Sequence, residues 1–139
     1  MTKQLIDTVV LRHGAKLDSR IVMSPMLTYS GSEDGFATED TLNYYRARSQ
    51  AASLLITEFH YVSPTGGPSS RPGYPEQLGI QDDDHLASIR SIAQALKKDG
   101  NKAILQIHHG GREARARGAK GLEVLAPSQL DFSFLPYPV

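Results

Sequence analysis

The chain has 139 residues, 40% hydrophobic and 22% charged, which is the size and balance of one modest globular domain. Fifteen Lys and Arg offset fifteen Asp and Glu, so no net field argues for nucleic acid or an anionic membrane as partner. No cysteine is present for a disulfide or a thiolate nucleophile, and no run approaches the ~20 apolar residues of a bilayer span or the apolar core of a signal peptide, which makes a cytoplasmic location the expectation.

Residues 8–11 and 16–19 flank His13-Gly14-Ala15 and read as a small N-terminal hairpin turning at glycine. The most informative stretch follows: Arg20-Ile21-Val22-Met23-Ser24-Pro25-Met26-Leu27-Thr28-Tyr29. Its apolar start predicts a buried strand over 20–23, stopped by Pro25, which cannot donate to a ladder. The loop beyond offers backbone groups, a thioether, hydroxyls and a phenol. Thr38 is the expected N-cap of a helix continuing through Leu42, Tyr45 and Ser49, with Glu39 and Asp40 at its positive end.

Residues 53–59 are short, apolar and partly β-branched, and predict the second strand. A loop over 63–81 follows, with Gly66-Gly67-Pro68 and Arg71-Pro72-Gly73; its length marks a functional loop. Asp82 or Asp83 caps the next helix, whose apolar stripe is Leu86, Ile89, Ile92, Ala93 and Leu96. Lys97 and Lys98 fall in its last turn and Gly100 just beyond. Residues 102–107 predict the third strand, followed by His108-His109-Gly110-Gly111-Arg112 and a basic stretch over 113–120 that reads as a solvated loop. The end of the chain is aromatic and proline-rich.

The order is hairpin, β, α, β, α, β, which implies a parallel sheet with right-handed crossovers. Neither a GxGxxG turn nor a Walker loop follows any strand. A (β/α)8 TIM barrel fits better than an open doubly wound sheet, because barrels collect chemistry at the C-terminal ends of their strands. Here those ends are Ser24-Pro25-Met26, Glu58-Phe59-His60-Tyr61 and Gln106-Ile107-His108-His109.

Three chemistries suit such ends. A flat conjugated cofactor would pack on Met26 and Leu27, meet backbone groups near Ser24 and Pro25, and use the donor and acceptor of Gln106. A divalent metal would take Glu58, His60, His108 and His109, although His108 and His109 alternate faces if the strand persists. In the third reading these polar residues cap strands and satisfy loop backbone, Arg112 anchors its loop, and Tyr29 is an ordinary loop aromatic.

The run Arg20-Ile-Val-Met-Ser-Pro-Met26 followed by Tyr29 resembles the first strand of the Old Yellow Enzyme family of flavin-dependent ene-reductases. The segments Gln77-Leu78-Gly79-Ile80, Gln106-Ile-His-His-Gly-Gly-Arg112 and Ala126-Pro127-Ser128 match in order and rough spacing. The resemblance runs from about Leu5 onward. It implies a (β/α)8 barrel with FMN in its mouth, a hairpin at its bottom, and NADH or NADPH as reductant of an enzyme acting on an activated, enone-type alkene. Ser24, Pro25, Met26 and Leu27 would line the flavin, Phe59 would face it, and Gln106 would bond its pyrimidine edge. Tyr29 matches a tyrosine that contacts substrate, and is the catalytic candidate.

Two positions depart from the family pattern. Leu27 stands where the family places cysteine or threonine, and Phe59 where it places a small residue. The family's downstream substrate ligands, proton donor and phosphate-binding loops have no counterpart in the matched segment. The chain is therefore expected to supply the N-terminal hairpin and roughly the first three β/α units of one FMN-binding domain over 1–139. Its expected partners are a small-molecule substrate, the remainder of the barrel from the same or another chain, and further copies in a homo-oligomer. Two other readings compete: a metal-dependent barrel hydrolase using Glu58, His60 and one of His108 or His109, and a non-catalytic half-barrel that self-associates through its sheet edges.

Overall fold

The computed structural model describes residues 2–68, 77–129 and 133. Arg71-Pro72-Gly73 and most of the aromatic C-terminal end lie outside the described residues. The chain opens with the hairpin: β1 (Val9–Val10) pairs antiparallel with β2 (Lys16–Leu17), Val9 opposite Leu17. Its turn uses left-handed backbone at His13 and Gly14.

Three parallel strands follow in the order β3 (Val22–Met23), β4 (Leu54–Tyr61), β5 (Lys102–His108). Between them run α1 (Glu39–Arg46) and α2 (Leu86–Lys97), as the alternating pattern requires. The third strand ends near its expected place. The first is shorter than expected and the second runs two residues further, so Glu58, Phe59 and His60 lie within the sheet.

Local chemistry explains the helix ends. Thr38 and Thr41 form a capping box at the start of α1, which stops at Arg46, short of the expected Ser49. Asp82 accepts from the Asp84 N–H at 3.1 Å and opens a 3₁₀ turn, Asp83–His85, that feeds α2. Gly100, at φ 86°, donates to the Lys97 carbonyl and closes α2. The basic stretch is not the loop expected from its charge. Arg115–Ala119 form a short helix, α3, in which Ala116 is buried, as is Ala114 just before it.

Alternation along the strands sets the core. Met23, Leu55 and Ala103 lie in one register row across the sheet and turn toward the helices. There Leu55 packs with Tyr45, Leu78, Ile92, Ala95 and Leu96. The opposite face carries Val22 and Ile104, each 46% exposed. Residues 77–80 dock beside β4: the Tyr61 N–H donates to the Leu78 carbonyl and the Ile80 N–H to the Tyr61 carbonyl. Among the described residues no helix is long and apolar enough to cross a membrane.

Candidate active site at the strand tips

The tips of β3, β4 and β5 open at one end of the sheet, where parallel α/β folds place their ligands. After β3, Ser24 and Met26 are exposed, Met26 by 62%, while Pro25 and Leu27 are half-buried. Tyr29 has φ 53°, a left-handed conformation that costs a non-glycine residue about 1–2 kcal/mol and needs support from its surroundings.

That support comes from its two neighbours. The Thr28 N–H donates to one oxygen of Glu58 at 3.1 Å and the Thr28 hydroxyl to the other at 2.8 Å. The Ser30 carbonyl accepts from the Thr38 and Thr41 hydroxyls at 2.5 and 2.7 Å. The loop is thus tied to β4 on one side of Tyr29 and to the start of α1 on the other.

Glu58 is fully buried. Its main-chain N–H donates to the Tyr45 hydroxyl at 2.9 Å, and that hydroxyl donates to the Glu58 carboxylate at 3.3 Å. Burial pushes the Glu58 carboxyl above its usual range, with the Thr28 donors opposing the shift. Burial likewise raises the Tyr45 phenol, and the neighbouring Glu58 charge adds to it.

On β5, Gln106 lies opposite Phe59 in the ladder, and the Phe59 and His108 rings meet at 4.4 Å between centroids. Ile104, Gln106 and His108 share the face turned away from the helices, following the strand's two-residue period. The Gln106 Oε1 is buried and has no hydrogen-bond partner, which is uncommon for a side-chain amide and leaves an acceptor open to a donor that is not protein.

The four residues of the metal reading do not converge. Glu58 is held by Thr28 and Tyr45. His60 Nδ1 donates to the Glu58 carbonyl at 2.8 Å, and burial holds the ring neutral, its pKa lowered to about 4. The His108 ring lies tilted against Phe59, while His109 Nδ1 accepts from the Gly111 N–H at 3.1 Å, beside Gly66. Among the described residues no group of three or more His, Asp or Glu side chains could hold a metal ion.

Sequence reasoning brought Ser24, Pro25, Met26, Leu27, Tyr29, Phe59 and Gln106 to the same end of the sheet, and the strand order agrees. It missed Tyr45 and Glu58 as the residues that hold this end together. The available signal was a glutamate inside the apolar run Leu54–Tyr61, because a buried carboxylate requires donors.

A hairpin leading into parallel β/α repeats, with an orphaned amide acceptor at the strand tips, is the arrangement that opens a parallel β/α barrel. The sequence profile of the NADH:flavin oxidoreductase / NADH oxidase family matches residues 10–133, and the chain belongs to that family. The NADH:acrylate oxidoreductase of Vibrio harveyi is 40% identical over 125 residues, covering 90% of this chain and 12% of that protein. The old yellow enzyme homologue of Zymomonas mobilis superposes with a TM-score of 0.78 at 27% identity, over 92% of this chain and 34% of that one. Morphinone reductase in complex with tetrahydroNAD superposes at 0.77 with 25% identity, over 96% of this chain and 35% of that one.

The chain thus spans about a third or less of these relatives, and its fold is the N-terminal part of their TIM barrel. FMN is the family's flavin and NADH or NADPH its reductant. The free Gln106 acceptor and the half-buried apolar residues of the β3 loop fit a planar group with N–H donors on its edge.

Proposed function

We propose that this chain forms the flavin-holding first part of an FMN-dependent NAD(P)H oxidoreductase that reduces activated, enone-type alkenes. The observation that carries the reading is the buried Gln106 Oε1, an acceptor without a partner, on the face that a closed barrel turns inward. FMN held there would supply hydride-transfer chemistry between a reduced nicotinamide and the alkene.

The chain's own residues bind and orient. Gln106 accepts from the pyrimidine edge of the ring. Ser24, Pro25, Met26 and Leu27 line the ring from β3, and Phe59 meets it from β4. The anchors at Thr28 and Ser30 hold Tyr29, which contacts the substrate. Leu27 brings no hydroxyl toward the flavin, and the Thr28 hydroxyl is already engaged with Glu58.

The substrate class draws support from the Vibrio harveyi relative, whose name gives acrylate, an alkene activated by a carboxylate. The edges of β3 and β5 have no further strand among the described residues, which supports pairing with the remaining staves of the barrel. The native-length protein is expected to purify yellow, to bleach anaerobically with NADH or NADPH, and to recover its colour with an α,β-unsaturated ketone. A colourless protein that binds no added FMN overturns the reading.

A further inference from the structure

Strand β4 carries one residue more than β5 between two aligned pairs. Ile56 lies opposite Ile104, and Phe59 opposite Gln106. Thr57 and Glu58 therefore share the space opposite Leu105, a β-bulge inside a parallel ladder. Bulges re-aim side chains, and this one aims two. Glu58 holds the β3 loop, as described above. Thr57 works on the opposite neighbour.

The Lys102 N–H donates to the Ser53 carbonyl and the His108 carbonyl accepts from the Val62 N–H, both at 3.0 Å. Even-numbered residues of β5 thus turn their backbone polar groups toward β4. Gln106 is in this phase, and its N–H donates to a side chain as well, the Thr57 hydroxyl, at 3.1 Å. Thr57 is 3% exposed, so water does not compete for that bond.

We propose that Thr57 is a positioning residue for Gln106. Its hydroxyl, projected by the bulge, fixes the Gln106 main chain at the height along β5 where the side-chain Oε1 stays open to the cofactor. The proposal rests on the flavin reading of Gln106. A valine at position 57 has nearly the same shape and no acceptor, so the Gln106 N–H would lose its hydroxyl partner and the main chain would be free to shift along the strand, carrying the side chain with it. Recognition of a rigid ring tolerates about 0.5 Å of such movement, and the loss should register in the cofactor as well as in stability.

The test compares T57V, T57S and Q106L in the native-length protein by FMN affinity and by the flavin absorption envelope. T57V is expected to weaken FMN about fivefold to tenfold and to shift the envelope in the same direction as Q106L. T57S should restore both, and T57V should add nothing in the Q106L background. If T57V leaves affinity and envelope unchanged while Q106L moves them, the positioning role is overturned and the flavin reading stands. If T57S is as impaired as T57V, shape and not the hydroxyl is responsible, and the proposal fails.

If neither T57V nor Q106L affects the flavin, the flavin reading itself fails. Hydrogen exchange at the Gln106 amide, measured without flavin, gives a readout independent of the cofactor. Protection in the wild type supports the bond, and exchange about tenfold faster in T57S than in the wild type would contradict it. Should T57V not fold, rapid exchange at Gln106 in the folded wild type would still overturn the proposal.

Discussion

Thr28 meets Glu58 twice, its N–H on one carboxylate oxygen and its hydroxyl on the other, at 3.1 and 2.8 Å. This pair joins the loop after β3 to the middle strand, and Tyr45 reaches the same carboxylate from α1 at 3.3 Å. Three elements adjacent in space but separate in sequence are thereby fixed around one buried charge. Such a group is costly unless every lone pair is used.

Glu58→Gln follows directly. The amide replaces one acceptor oxygen with a donor that faces a Thr28 donor, and the variant should lose about 1–3 kcal/mol in denaturant unfolding. Glu58→Leu should lose more, since both Thr28 donors are then left without their acceptor. Tyr45→Phe removes the acceptor of the Glu58 N–H and should cost about 1–2 kcal/mol. Equal stability across the three variants would show that the carboxylate is not the tie.

Gly35 and Gly100 share a φ of 86°, and their surroundings differ. A Cβ on Gly35 would lie 2.9 Å from the Gly79 nitrogen and against the Tyr61 hydroxyl; on Gly100 it would meet nothing within 4 Å. Gly100→Ala should therefore cost only the left-handed backbone, about 1 kcal/mol. Gly35→Ala should cost about 3 kcal/mol or more, because overpacking against Tyr61 is added. Thermal unfolding of the two variants separates conformation from contact, and similar losses would refute the packing role.

His60 sets a pH window. Its folded pKa of about 4 lies below the ordinary 6.5, so the unfolded chain binds the proton more readily. The contribution is complete above pH 6.5, declines as the pH falls from 6.5 to about 4, and amounts to about 3 kcal/mol over that window. Glu58 works in the opposite sense. Its raised pKa favours the protonated folded form, so its contribution falls as the pH rises past the ordinary carboxylate value. The difference between wild type and His60→Gln isolates the histidine. Wild-type stability relative to the variant should fall steadily between pH 6.5 and 4, and a flat difference would contradict a buried neutral ring.

Much of the scaffold was legible because it is periodic or punctuated. The stripe through Leu86, Ile89, Ile92 and Leu96 predicts α2, Thr38 predicts the start of α1, and Gly100 the end of α2. Register was not legible. Nothing in the run Leu54–Tyr61 announces that one extra residue separates Ile56 from Phe59, and that residue decides which way Thr57 and Glu58 turn. The same blindness made Glu58, His60, His108 and His109 look like ligands, because proximity in sequence does not say which side chains already have partners. The basic residues over 113–120 suggested a solvated loop, whereas residues 115–119 are helical and Ala114 and Ala116 are buried.

Phe59 is the departure with the clearest consequence for substrates. Its ring stands opposite Gln106 and against His108, so under the flavin reading it occupies space beside the reacting alkene. Phe59→Ala should enlarge that space and raise kcat/KM for alkenes with bulky β-substituents relative to small ones by about tenfold or more. The small alkene should lose little, since removed bulk does not remove a hydrogen bond. Removing the Phe59 ring also frees one face of His108, whose pKa burial and the neighbouring His109 now hold down. The pH at which the His108 ring titrates by NMR should therefore rise in the variant. A substrate preference unchanged between wild type and Phe59→Ala would mean that the Phe59 ring does not border the substrate.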